Sequence, residues 1–239
     1  MTGVAGPRPS PDLAAFLREA PYDRSAIHQH VAAFAADLLP GTRVLDAGAG
    51  RQPFRELFAH CEYVASDWAN SPHAEVAAVD IVAPLDSLPL EDAVFDAVVC
   101  TQVLEHVASP RTVLAELARI ARANAPILVT VPLVGGLHEE PYDFFRYTSF
   151  GVESLLAGAG FDRISVVPMT SYYSTLAQIL RDAALYTGVR EQGDYVRRAI
   201  TGSLRVLAGG LPLLDRFDSR RALPLGFAAT GARSDVTTV

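Results

Sequence analysis

The run Val44-Leu45-Asp46-Ala47-Gly48-Ala49-Gly50 restricts the fold of this chain more than any other stretch. A short apolar strand passes straight into a turn with glycine at two alternate positions. Glycine there lets the backbone approach a ligand closely. Helix-compatible sequence follows from Gln52, and a second apolar run, Tyr63-Val64-Ala65-Ser66, ends on Asp67. A strand, a glycine turn, a helix and a second strand ending in a carboxylate form a nucleoside pocket in α/β proteins. The acid accepts hydrogen bonds from ribose hydroxyls.

The pattern downstream is consistent with that start. Apolar runs predict strands near 43–47, 62–66, 76–80, 94–100, 125–131 and 162–168, and a last strand at 222–229. Helices are expected near 52–60, 110–123 and 149–159. Two more, near 11–20 and 25–39, precede the first strand and are separated by Pro21-Tyr22-Asp23. Strand and helix in alternation predict a mainly parallel sheet covered on both faces. Residues 170–219 break the alternation. Leu176, Ile179, Leu180 and Ala183, then Ile200, Leu204, Leu207 and Leu211, fall at helical spacing. About fifty residues are too many for an ordinary connection. The expected organisation is a tail with cap helices (1–41), a sheet core (42–168), a helical insertion serving as lid or dimer surface (169–221), and a last strand with a tail (222–239).

Composition narrows the class. Half of the 239 residues are hydrophobic, enough for one sizeable core. A net charge of −7 argues against a protein that grips nucleic acid through phosphates. Cys61 and Cys100 lie in apolar runs and read as reduced, buried thiols of a cytoplasmic protein. No signal peptide is apparent, and no apolar run reaches the roughly 18–20 residues that span a bilayer. Arginine without lysine, together with abundant alanine, suggests a GC-rich bacterial genome.

Four blocks in order carry a resemblance: the glycine turn at 44–50, Asp67, the stretch Leu88-Pro89-Leu90 through Phe95-Asp96 into Val98-Val99-Cys100, and Thr101-Gln102-Val103-Leu104-Glu105-His106-Val107. Together they resemble class I S-adenosylmethionine-dependent methyltransferases of the small-molecule type, over residues 42–168 and 222–230. The resemblance implies a Rossmann-like, doubly wound, seven-stranded sheet with the helical insertion before its last strand, and S-adenosylmethionine as cofactor. The family often has a third glycine where this chain has Gln52. A dinucleotide fingerprint would need glycine at 53, where Pro53 stands, which argues against an NAD or FAD enzyme.

On this resemblance, Asp46 fixes the turn and the methionine ammonium, and Ala47, Gly48 and Gly50 make room for the methionine and ribose. Asp67 binds the ribose hydroxyls and Trp68 packs on the adenine. Asp80, with Ile81 beside it, takes the adenine amino group, Asp86 being the competing acid. Cys100, Thr101 and Gln102 end the fourth strand, with their backbone against the methionine portion. The Glu105-His106 pair is routine in the family without a catalytic role, yet His106 is a candidate base.

After the fifth strand comes the best acceptor-side cluster: His138, Glu139, Glu140, Tyr142, Asp143, Arg146 and Tyr147. A histidine, carboxylates, an arginine and aromatics can orient and deprotonate a hydroxyl or amine. His138 is the expected base, swinging on Gly135-Gly136, with Tyr142 and His106 as alternates. The plain structural alternative is a loop held by an Asp143–Arg146 ion pair, with Phe144 and Phe145 in the core. Tyr172 and Tyr173, and Tyr22, His28 and His30 from the N-terminal side, are further candidates to line the pocket. No compact ligand spacing suggests a metal. The expected reaction is methyl transfer to an O or N atom of a small molecule, a secondary metabolite or a sugar. Non-methylating chemistry such as cyclisation, and a protein or RNA acceptor, are the alternatives. A homodimer through the insertion is the expected assembly, if any.

Overall fold

The computed structural model describes residues 11–71, 79–186 and 194–235. Helices α1 (Pro11–Glu19) and α2 (Pro21–Ala36) lead into β1 (Arg43–Ala47) and β2 (Glu62–Asp67). Then come β3 (Ile81–Val82), β4 (Ala97–Thr101), α3 (Pro110–Ile120), β5 (Pro126–Pro132), α4 (Ser149–Gly158) and β6 (Phe161–Pro168). The insertion supplies α5 (Tyr172–Tyr186), α6 (Asp194–Gly210) and a 3₁₀ turn at Leu211–Phe217, before β7 (Gly226–Arg233) closes the sheet.

The seven strands lie in the order β3-β2-β1-β4-β5-β7-β6. Pairings from β3 through β5 are parallel, and β7 runs antiparallel to both β5 and β6. The chain winds outward from β1 to β3, then returns to β4 on the other side of β1. The carboxyl ends of β1 and β4 therefore flank the point where winding reverses, the place where open α/β sheets bind ligands.

Alternation along the strands divides the core in two. Leu45, Val98, Cys100, Ile127 and Val129 pack with Val113, Leu114 and Leu117 of α3 and with Val152 and Leu156 of α4. Val44, Val99 and Leu128 turn the other way, onto Ile27, Val31 and Phe34 of α2 and onto Phe54 and Phe58. Both faces being covered, the central strands read as unbroken apolar runs rather than alternating ones.

The stretch from Leu88 to Asp96 turns out to be a structural clamp. Arg119 of α3 donates to the carbonyls of Leu88 and Leu90 and to Asp92 Oδ1 (2.6 Å), while its other atoms pair with Glu116. Glu116 in turn accepts from Leu88 N at 2.8 Å. Phe95 is fully buried, and the Asp96 carboxylate accepts from Arg43 N and pairs with Arg122. These contacts set the register of β4 beside β1.

Some expected boundaries move. Pro21-Tyr22-Asp23 does not separate the first helices but forms the first turn of α2, where a proline's missing N–H is no loss. The helix expected at 52–60 shrinks to one 3₁₀ turn, Arg55–Phe58. Gln52 takes a left-handed φ of 54° and Pro53 follows it, so little chain remains, and the steeper 3₁₀ rise covers the return to β2. Of the strand expected at 76–80, positions 76–78 lie outside the described residues, and the strand seen begins only at Ile81. The last strand runs 226–233 rather than 222–229. Pro224 cannot donate to a ladder, and Leu225 N is taken by Thr170 Oγ1 at 2.7 Å.

The insertion is stitched to its surroundings by hydrogen bonds. Asp215 accepts from Ser171 Oγ, from Ser174 Oγ at 2.5 Å and from Ser174 N at 3.1 Å, capping α5. Tyr22 of α2 donates to the Ala208 carbonyl at 3.2 Å. At α4, Thr148 is the side-chain cap, its Oγ1 accepting from Gly151 N at 3.1 Å. Thr148→Ala should cost about 1 kcal/mol of stability. Urea denaturation checks this, and an unchanged midpoint would show that the cap contributes nothing.

Candidate active site

A cavity of about 770 Å³ opens at the carboxyl ends of β1, β2 and β4. The glycine turn is its floor on one side. Gly48 has φ 76°, and a Cβ there would lie 2.5 Å from Val103 Cγ2, so a side chain is excluded twice. The N–H groups of Gly48 and Ala49 both donate to Ser66 O at 2.9 Å, which ties the turn to β2. Gln52 occupies the left-handed conformation that a third glycine would favour, so the shape of the turn survives the substitution.

Asp67 Oδ2 accepts from Gly50 N at 3.1 Å and Oδ1 from Trp68 N at 2.8 Å. These bonds aim the carboxylate into the cavity, which Asp67 and Trp68 both line. Asp46 lies beneath the turn, 2% exposed. Its Oδ2 accepts from Tyr63 OH at 2.5 Å, and its Oδ1 is buried without a partner among the described residues. Burial pushes Asp46 up to about 6, against the pull of the tyrosine hydrogen bond. Thr101 and Gln102 reach the wall, with Gln102 at φ 53° and its N–H bonded to Thr130 O.

Other cofactor-side expectations need correction. Asp80 does not end the third strand. It stands at the amino end of β3, where its carboxylate accepts from Ala65 N at 2.9 Å and does not line the cavity. Ligands collect at carboxyl ends, and there the competing Asp86, not Asp80, lines the wall beside Leu85. Ile81 packs against the core instead. Cys100 and Ala47 have fully buried side chains, which leaves only their backbone to meet a ligand, as expected of Cys100, and burial pushes the Cys100 thiol well above its usual range. Both lie on the core face, because side chains alternate along a strand.

On the acceptor side, His106, His138, Glu139, Glu140, Tyr142 and Phe144 line the cavity. The two histidine rings meet edge to face at 4.7 Å, and Tyr142 does the same with Trp68 at 5.1 Å. His106 Nδ1 lies 2.8 Å from the Tyr142 carbonyl, and His138 Nδ1 lies 3.1 Å from the Gly136 carbonyl. A carbonyl only accepts, so both Nδ1 atoms carry protons, and Nε2 is the atom each neutral ring leaves for other work. Below them Glu105 is completely buried, and among the described residues neither carboxylate oxygen has a hydrogen-bond partner. Burial pushes its carboxyl up to about 8.

Asp143 and Arg146 hold this loop without lining the cavity. Arg146 pairs with Asp143 Oδ1 at 2.6 Å and donates to the Gly136 carbonyl at 2.8 Å. Asp143 Oδ2 accepts from His138 N at 3.0 Å. The Arg146 guanidinium keeps Asp143 well below the usual carboxylate range. Gly135-Gly136 is therefore not a free hinge, and His138 is held in place. The expected ion pair is present, but Phe144 and Phe145 are exposed rather than in the core. Tyr147 is buried, its hydroxyl donating to Leu104 O at 2.7 Å.

Neither tyrosine at the start of the insertion, Tyr172 or Tyr173, lines the cavity. No residue of 170–219 does among those described. Tyr22 faces α6, and His28 and His30 are also off the wall. Sequence reasoning missed the residues that line it instead: Ala15, Phe16 and Glu19 of α1, with Asp23, Arg24 and Ile27 of α2. A signal existed, since 15, 19, 23 and 27 recur every four positions with acids at two of them.

Residues 45–129 match the family described as methyltransferase domain, a span from β1 to β5. Over that span the chain matches a methyltransferase domain, which supports a class I S-adenosylmethionine-dependent methyltransferase. No curated protein matches the whole sequence significantly. Solved structures share the fold. SpnF, a 4+2 cyclase, has 18% identity and a TM-score of 0.59, with 88% of this chain and 81% of that one covered. A SAM-dependent methyltransferase from Archaeoglobus fulgidus has 16% identity and a TM-score of 0.58, covering 92% and 99%. Phosphoethanolamine N-methyltransferase 2 of Haemonchus contortus, in complex with phosphomonomethylethanolamine and S-adenosylhomocysteine, has 14% identity and a TM-score of 0.55. That match covers 87% of this chain and 52% of the other, about half of it. At such identities the likeness is one of fold. No helix among the described residues is long and apolar enough to cross a membrane.

Proposed function

We propose that this chain transfers the methyl group of S-adenosylmethionine to an oxygen or nitrogen of a small acceptor. The observation that supports this reading is one cavity that joins the glycine turn and Asp67 to the His106–His138 pair. The residues fit the cofactor. The glycine cradle has no room for a Cβ, the Asp46 Oδ1 is buried and unbonded, and Asp67 is aimed inward by two N–H groups. The cofactor supplies a methyl on a sulfonium, already electrophilic, so the protein's work is to position the acceptor and exclude water. Asp67 would take the ribose hydroxyls, Trp68 and Asp86 the adenine, and Asp46 the methionine ammonium. His138 would accept the acceptor's proton through Nε2, with His106 and Tyr142 beside it.

A second reading keeps the cofactor and drops the methyl transfer, since a cyclase shares the fold. Incubation with methyl-labelled cofactor and candidate metabolites separates the two. Label appearing in an acceptor, with S-adenosylhomocysteine formed, supports methyl transfer, and conversion without either supports the other reading. A small acceptor rather than a protein or RNA is favoured by the net charge of −7 and by the acids in the wall.

Asp46 gives the reading a pH signature. Its folded carboxyl, raised to about 6, keeps a proton that the unfolded chain has already lost. Stability from this group is therefore greatest below the ordinary aspartate value of 3.8, declines as pH rises towards 6, and is flat beyond. An ammonium ligand needs the ionised form, so cofactor affinity should rise between about pH 5 and pH 7. Asp46→Asn should abolish that rise. Calorimetric titration across the range tests it, and a flat wild-type profile would remove Asp46 from the ammonium site.

A further inference from the structure

Glu105, His106 and His138 each offer a ligand atom within 4.8 Å of the others. Three features of this cluster are hard to explain by packing alone. Glu105 has no exposed surface, and among the described residues neither of its side-chain oxygens has a hydrogen-bond partner, the Arg146 guanidinium acting on it through charge alone. His106 Nε2 lies 3.9 Å from Glu105 Oε1 and 3.9 Å from Glu139 Oε2, too far for hydrogen bonds and somewhat wider than the ~3.4 Å between two ligands of a tetrahedral ion, so a bound ion would draw them together. Both histidines anchor Nδ1–H on a backbone carbonyl, and the half-exposed His138 is steadied further by Asp143 at 3.5 Å. Metal-ligating histidines are oriented in this way by their second ring nitrogen.

From this geometry we propose that Glu105, His106 and His138 bind a divalent transition-metal ion of the zinc type, with Glu139 placed to approach it. Two imidazoles and one carboxylate suit such an ion and leave a coordination position open. The carboxylate comes from below, out of the core, while His106 and His138 belong to the cavity wall. The open position thus looks into the cavity, where an acceptor oxygen or nitrogen completes the coordination. The site goes beyond the methyl-transfer reading and does not depend on it. A nitrogen that ligates cannot also take a proton, so His138 serves as base only in the metal-free protein. The spacing 105, 106 and 138 conceals the set in the sequence, because two of its members are chain neighbours and the third follows β5.

The test uses the full chain, stripped with a chelator and titrated with Co²⁺ as a spectroscopic probe. One equivalent should bind and develop visible absorption. Glu105→Gln, His106→Ala and His138→Ala should each weaken binding by about a hundredfold or more. His60→Ala, remote from the cluster, should not. Absence of a visible band, or equal affinity in the His106→Ala/His138→Ala double variant, would overturn the site. Calorimetry of S-adenosylhomocysteine on the same stripped protein keeps the two readings apart. If that ligand binds while cobalt does not, the metal site alone falls. If cobalt binds at the cluster and that ligand does not, the metal site stands and the methyltransferase reading falls.

Discussion

His138→Ala should lower methyl-transfer turnover by about a hundredfold in metal-stripped protein, with cofactor affinity intact. The expected loss corresponds to about 2.7 kcal/mol of transition-state stabilisation. The structure explains why the effect should fall on turnover alone. His138 lies on the acceptor side of the cavity, apart from the glycine turn, and its backbone is fixed by Asp143. With Nδ1–H held by Gly136 O, its Nε2 can accept a proton without a change of tautomer. Near-normal turnover in the variant would refute the assignment and move the role to His106 or Tyr142, or leave proximity as sufficient. The measurement is single-turnover transfer of labelled methyl to whichever acceptor a mass-spectrometric screen identifies.

The second large effect belongs to the ribose. Asp67→Ala should weaken S-adenosylhomocysteine binding by about 2 kcal/mol or more, roughly thirtyfold, through loss of two charge-assisted hydrogen bonds. Asp67 also accepts from Gly50 N and Trp68 N, so part of the loss will come from a loosened turn. Asp67→Asn separates the contributions, because the amide still offers one oxygen. Unchanged affinity in a well-folded Asp67→Ala protein would end the ribose assignment.

The glycine turn, Asp67 and the order of strand and helix could be read from the chain because they are local. Each depends on a few neighbouring residues and on one rule of backbone or side-chain chemistry. The same is true of Thr101 and Gln102, which had only to end a strand at the switch point. Asp80 failed for a reason of register. A shift of the third strand's start to Ile81 moved the acid from a carboxyl end to an amino end, and its carboxylate turned to Ala65 N. Tyr172 and Tyr173 failed because an amphipathic helix announces that it is covered, not by what. The burial of Glu105 beneath two histidines was not legible, because it requires residues on either side of β5 to meet, and spacing carries no trace of that. The family match from 45 to 129 covers what was local and omits the N-terminal helices, the loop bearing His138 and the insertion.

The cavity wall formed by α1 and α2 precedes β1 entirely. The cavity is thus assembled partly from chain that contributes no strand. A change of the stripe at Ala15, Glu19, Asp23 and Ile27 can alter which molecule is admitted while the sheet and its glycine turn stay as they are. Ile27 is an exception in degree, since it also packs in the core. If the proposed acceptor lies against this stripe, selectivity is separable from the cofactor side of the cavity. Exchange of the first forty residues between relatives is the natural way to redirect it.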